Sequence, residues 1–216
     1  MVDGMTKEKW NQMNIKQKLE YFANYYLKLV IVGVVVVGIL ISIIVSIVTP
    51  SSVAISGQIL NISIIKEGYE QYLCEEFLEA EGFEKKATAV AQLGVMTRNL
   101  DDSYQTSLTI DVRMEAKELD YFIVDKEGLD VLNEGGMLLD LSTILDNDTK
   151  KEVSEKLVEL SYADETMEGT YLGAIEITDT KFINEYANKK GTYYIAAACT
   201  SVRTENVVKM IKYLFK

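Results

Sequence analysis

Hydrophobic positions follow two different rhythms on either side of one uninterrupted apolar run. LVIVGVVVVGILISIIVSIV, residues 29–48, is twenty residues without a charge. At about 1.5 Å per residue, a helix of that length covers about 30 Å, the hydrocarbon thickness of a bilayer. The run therefore reads as an uncleaved single-pass anchor. The competing readings are a cleaved signal peptide and a buried core helix. A signal peptide has an apolar stretch of about 7 to 15 residues ending in a small-residue cleavage pattern, whereas this run is longer and leaves through TPSS.

Ahead of the run, NIKQKLEYFANYYLKL has the spacing of an amphipathic helix. Asn14 is a good N-cap, and Ile15, Leu19, Phe22 and Tyr26 follow on one face. Trp10, Tyr21, Tyr25 and Tyr26 suit a headgroup zone. A helix lying on the inner leaflet is expected here, with docking of a cytoplasmic partner as the alternative. Beyond the run, residues 49–56 (TPSSVAIS) hold the chain's one proline and read as a stalk.

From residue 57 the pattern alternates between strand and helix. GQILNISII (57–65) is an isoleucine-rich strand, and EGYEQYLCEEFLEAEG is a helix placing Tyr69, Leu73, Phe77 and Ala80 on one face, with Gly82 as its stop. ATAVAQLGVM (87–96) is a second strand. DDSYQTSLTIDVRMEAKEL fits either period; its good helix formers and the strand that follows favour a helix capped by Asp101 or Asp102, with Tyr104, Leu108, Val112, Ala116 and Leu119 on one side. LDYFIV (119–124) is the next strand. After it come a short helix KEGLDVLNEGG, a loop MLLDLSTILD and a charged helix NDTKKEVSEKLVEL.

The last third continues the alternation. TYLGAIEI (170–177) is a strand, DTKFINEYANKKG a short helix closed by Gly191, and TYYIAAAC (192–199) a strand apolar enough to be covered on both faces. TENVVKMIKYLF is a helix capped by Thr204 with Val207, Val208, Ile211 and Leu214 inward. The whole predicts an α/β domain over 57–216, its sheet mostly parallel with helices on both faces.

Charge assigns orientation. Lys7, Lys9, Lys16, Lys18 and Lys28 precede the run, and no Lys or Arg follows it before Lys66. Basic flanks stay cytoplasmic, so the N-terminus (1–28) is expected inside and the α/β domain outside. With Asp3, Glu8 and Glu20 the first 28 residues balance at +2, and the chain total of −11 leaves −13 beyond them. An acidic exterior domain is unsuited to nucleic acid or anionic polymers, which need basic patches. The bilayer, an envelope protein or a peptide remains as partner.

Two cysteines, Cys74 and Cys199, read as separate buried thiols rather than a disulfide framework. Histidine is absent, which removes Ser-His-Asp and Cys-His catalysis and imidazole metal ligation. Asp146, Asp148 and Glu152 lack the glycine turn of a calcium loop and fit a capped helix start better. Glu75 with Glu76, and Asp101 with Asp102, are adjacent in sequence and so point apart on a helix. No phosphate loop, nucleophile elbow or Cys-x-x-Cys occurs. Neither an enzyme, a metal site nor a cofactor is expected.

KELDYFIVDKEGLDVLNEGGMLLDLSTIL resembles the segment of type 2 periplasmic (extracellular solute-binding) proteins in which a D-x-x-x-x-D strand leads into a helix and a G-x-x-x-D-L-S turn. Asp120, Asp125, Gly136, Asp140, Leu141 and Ser142 hold those positions. YYIAAACTSVRTENVVKMIKYL is similar to the family's late strand, loop and helix. Family members close two lobes over a solute and need well over 250 residues. About 165 residues suffice for one lobe. The resemblance thus implies a reduced, one-lobed relative held in a bacterial cell membrane. Ligands of open α/β sheets bind beyond the strands' carboxyl ends, which makes Lys66, Arg98, Asp125 and Glu127 the candidate ligand-binding residues. The expected role is non-enzymatic recognition of a partner, with capture of a small molecule or peptide for transport or sensing as the alternative.

Overall fold

A buried carboxylate organises the centre of the sheet. Asp120, at the foot of the third strand, is fully buried; its oxygens accept from the Ser56 backbone N–H (2.8 Å), the Ser201 hydroxyl (2.7 Å) and Arg203 Nε (2.8 Å). Its own carbonyl accepts from Ala198 N–H. One side chain thereby ties together the first, third and last strands. The computed structural model describes residues 7–48, 52–163, 168–188 and 190–216, and the chain divides into two compact units, 1–50 and 51–216.

In the first unit, α1 (Lys7–Gln12) precedes α2 (Ile15–Val48). Asn14 caps α2 as expected, and reciprocally: its side chain accepts from Gln17 N–H while Gln17 accepts from Asn14 N–H. Ile15 and Leu19 are exposed; the side chains of Phe22 and Tyr26, assigned to the same stripe, lie outside the described residues. Within the apolar run, side chains are described for residues 30–39, and all are exposed. Among the described residues, no helix is long and apolar enough to cross a membrane.

The second unit is an α/β domain. Its strands are β1 (Val53–Leu60), β2 (Thr88–Gly94), β3 (Tyr121–Asp125), β4 (Leu157–Ser161), β5 (Thr170–Glu176) and β6 (Tyr193–Ala197), in the order β2-β1-β3-β6-β5-β4. The sheet is mixed rather than mostly parallel: β1 runs parallel to β2 and β3, while β3–β6, β6–β5 and β5–β4 are antiparallel. The departure has a geometric cause. The helix between β5 and β6, α7 (Lys181–Tyr186), is six residues long, about 9 Å. It cannot carry the chain back along β5, so β6 starts where β5 stops, with Tyr194 opposite Glu176.

Alternation along the strands separates two cores. Ile55, Ile59, Tyr121, Ile123 and Ile195 meet α3 (Phe77–Ala80), the π-helix Gln71–Glu76, α7 and α8 (Thr204–Leu214); Leu60, Phe122, Val124, Tyr194 and Ala196 meet α4 (Leu100–Glu115) and α5 (Lys126–Glu134). Helices thus cover both faces, and β6 is buried throughout, as its near-continuous apolar sequence predicts. Asp146 caps the short helix α6 (Asn147–Glu152), accepting from Thr149 N–H at 2.7 Å, and it pairs with Lys212. That matches the capped start read from the sequence.

Several boundaries shift. The expected stalk is half strand: Val53–Ser56 belong to β1, and residues 49–51 lie outside the described residues. The expected strand 57–65 ends at Leu60 because Asn61 is left-handed (φ 58°) and turns the chain. NDTKKEVSEKLVEL is only half helix, since Leu157–Ser161 form β4; Leu160 packs where Gly173 leaves room, a Cβ there falling 2.4 Å from Leu160 Cδ1. α4 is helical as expected but capped by Asn99, with Tyr104, Leu108 and Val112 exposed and Ser103, Ile110 and Met114 buried. Thr204 is the first residue of α8, its cap position being Arg203, and α7 ends at Tyr186 well before Gly191.

Replacing Asp120 with Ala leaves Arg203 and the Ser56 amide without their acceptor. Removing one partner of a buried pair costs about 3–5 kcal/mol; the Arg203 side chain retains some exposure, which points to the lower end. Urea unfolding should show a loss of about 3 kcal/mol. A loss below about 1 kcal/mol, as for surface pairs, would mean that the sheet does not depend on this carboxylate.

Candidate functional site

The four residues proposed from sequence do not form one site. Arg98 is exposed and pairs with Glu134 at 2.6 Å, while its backbone N–H donates to Glu127. The Glu134 hydrogen bond and charge raise the Arg98 pKa further. Asp125 caps α5 through Gly128 N–H and accepts from the Asn61 side-chain amide. Asn61 in turn clamps Met96, donating to its carbonyl and accepting from its N–H. These contacts hold β1, the end of β2 and β3 in register. Lys66 lies in a different neighbourhood, beside Glu185 (3.6 Å) and over the Tyr186 ring.

Lys66 instead borders a groove of about 1120 Å³ along β2. One wall is residues 87–93; the other is the segment 64–71 continuing into the π-helix, with Cys74, Glu75 and Leu78. The groove follows an open sheet edge. β2 is the terminal strand, and among the described residues no strand pairs with its outer side. Thr88 N–H donates to Ser52 and Gly94 C=O accepts from Asn61 on the β1 side. Backbone groups alternate along a strand, so those of Ala89, Ala91 and Leu93 face outward.

Local sequence explains the shape. β2, TAVAQLG, carries no charge and no proline, and Ala89 and Ala91 leave space against the π-helix. Cys74 lines the groove together with Ala91. It is half-buried and unpaired; Cys199 is also unpaired but exposed. The thiols are separate, as expected, but neither is deeply buried. Burial, then the charges of Glu70 and Glu75, push the Cys74 thiol up to about 11. Tyr69, which donates to Glu70, is pushed up to about 12, chiefly by burial.

Behind this wall lies an orphaned phenol. The Tyr121 ring crosses Gly57, where an added Cβ would sit 2.1 Å from Cζ. Gly57 pairs with Tyr121 on one side and Ala91 on the other. The Tyr121 hydroxyl is buried without a hydrogen-bond partner among the described residues, and burial raises its pKa strongly, with Cys74 the next contributor. Buried hydroxyls are normally satisfied.

The groove went unnoticed in the sequence because a parallel β2 reads like any buried strand until its place in the order is known. The available signal was compositional: seven strand residues with small side chains on one face and no charge. Comparison with known proteins finds no matching family model, curated protein or solved structure.

A thiol with a pKa near 11 is about 0.1% thiolate at pH 8, against roughly a quarter for a free cysteine. In a Cys199→Ser background, Cys74 should alkylate at pH 8 about a hundredfold more slowly than a free cysteine. The rate should climb as pH rises toward 11, and Glu70→Gln or Glu75→Gln should raise it at pH 8. Iodoacetamide kinetics followed by mass spectrometry measure this; a free-cysteine rate at pH 8 would remove the acidic, desolvated groove wall.

Proposed function

We propose that this chain is a single-pass membrane protein whose outer α/β domain works by recognition, with the groove beside β2 as its recognition surface. Residues 29–48 serve as the anchor, the lysine-rich N-terminus lies in the cytoplasm, and residues 51–216 lie outside. The reading rests above all on the contrast between the two edges of the sheet. Proteins guard exposed edges with charge, shortness and bulges. The β4 edge has all three: five residues, Glu159 within it, and an irregular register at Val158/Glu159. The β2 edge is seven residues long and uncharged, its one register irregularity falls at Val53/Ile55 of the inner partner β1, and a groove runs beside it. An unguarded edge invites association unless a partner normally covers it.

Chemistry favours binding over catalysis. The groove's ionisable side chains are Lys66, Glu67, Glu70 and Glu75 with Tyr69 and Cys74, and the thiol and phenol are shifted toward their neutral forms at neutral pH. Neither is an activated nucleophile.

Two measurements on intact cells test orientation and surface together. A membrane-impermeant maleimide should label exposed Cys199 without lysis; labelling only after lysis would reverse the topology. A photo-crosslinking residue at Leu78, on the groove wall, should trap a defined protein that the same residue at Lys151, on α6, does not. Equal trapping at the two positions would remove the groove as the recognition surface.

A further inference from the structure

We infer that the groove recognises its partner by strand addition: an extended segment bearing lysine or arginine pairs with the outer edge of β2. This deepens the recognition reading above and rests on it. The pairing groups are the outward N–H and C=O of Ala89, Ala91 and Leu93, which the alternation of the β1–β2 ladder turns toward the groove. Main-chain pairing of this kind supplies affinity, and the flanking wall selects side chains.

The wall specifies the occupant's chemistry. Of its four charged residues, Lys66 is engaged by Glu185 and the Tyr186 ring, while Glu67, Glu70 and Glu75 leave a negative field. The β2 wall presents Ala89 and Ala91. Small side chains there keep the edge reachable, and a strand laid along it directs alternate side chains toward the π-helix. Basic residues on that strand meet the glutamates. β2's length sets the segment at about seven residues, about 23 Å.

One residue marks the position. Cys74, a free thiol, lines the groove with Ala91, whose outward N–H an added strand would engage, so a bound strand covers it.

The test uses the full chain in nanodiscs, Cys199→Ser, and the capped heptapeptide Lys-Val-Thr-Val-Thr-Val-Lys. Comparison peptides carry Glu in place of both Lys, or N-methyl groups on one or the other alternate set of residues. By fluorescence anisotropy, the basic peptide should bind about tenfold more tightly than the acidic one, and the Glu70→Gln, Glu75→Gln double variant should lose most of that preference. One N-methyl set should abolish binding while the other is tolerated, because a strand added at an edge pairs along one side only. Saturation should block alkylation of Cys74. Ala89→Pro, which removes an outward donor without touching the β1 ladder, should abolish binding as well.

Equal affinity of the two N-methylated peptides overturns strand addition, and an acidic peptide that binds as well as the basic one overturns the charge assignment. In either case, trapping from Leu78 leaves the recognition reading intact. Self-association of the chain that Ala89→Pro abolishes would overturn the proposal by making a second copy the occupant. Failure of every peptide together with absence of trapping from Leu78 removes both readings.

Discussion

Asp120 gathers two segments far apart in sequence, Ser56 and the Ser201–Arg203 turn, against one buried charge, and the arrangement of the sheet follows from satisfying it. A carboxylate fully removed from water is tolerated only when hydrogen-bonded and paired. Here the donors come from β1 (Ser56), the turn after β6 (Ser201) and the start of α8 (Arg203). β3 is therefore held between a parallel neighbour and an antiparallel one. At the other end of the same strands, Asn61 links Met96 and Asp125. The β2–β1–β3 corner is clamped at both ends, and the groove is built on that rigid corner.

The polar floor beneath α4 decides which side of that helix faces in. β1 turns Ser56 and Gln58 toward it, and both are buried. Arg113 reaches down to bond the Ser56 hydroxyl, Gln58 and Gln92 at 2.7, 2.6 and 3.0 Å. Burial works against its charge and lowers its pKa, while Glu118 and Asp120 oppose the shift. Unbonded buried polar groups would cost more than an exposed apolar stripe, so α4 gives its Arg113 face to the sheet and turns Tyr104, Leu108 and Val112 outward.

That is where sequence reading reached its limit. Periodicity placed a helix within 101–119, strands at 87–96, 119–124, 170–177 and 192–199, and a capped helix start near Asp146, each within a few residues of the observed element, because each depends on neighbours within a few positions. It could not choose α4's buried face, since Ser56 and Gln58 lie some fifty residues away and their need for Arg113 is a tertiary fact. Nor could it see the mixed sheet or β4, which depends on Gly173 to receive Leu160. Of the candidate binding residues, Lys66 alone borders the groove; Arg98, Asp125 and Glu127 are engaged in holding strand ends and a helix start. The groove is made by strand order, which no local pattern encodes.

The opposite face of the same corner is packed by a different force, and its helix has an unusual pitch for a visible reason. Tyr72 and Phe77 are both buried against Tyr213, with ring centroids 5.0 and 5.6 Å from it. Five residues apart on an α-helix, they would point about 140° away from each other. The i→i+5 pairing of the π-helix Gln71–Glu76 brings positions five apart closer to alignment. Both rings then reach the core, where aromatic pairs of this kind add about 0.5–1.5 kcal/mol each beyond burial. The same widened turn carries Cys74 and Glu75, which line the groove. A regular helix would turn Tyr72 and Phe77 apart and cost one of the two contacts with Tyr213. The pitch that satisfies the core is thus the pitch that shapes the groove.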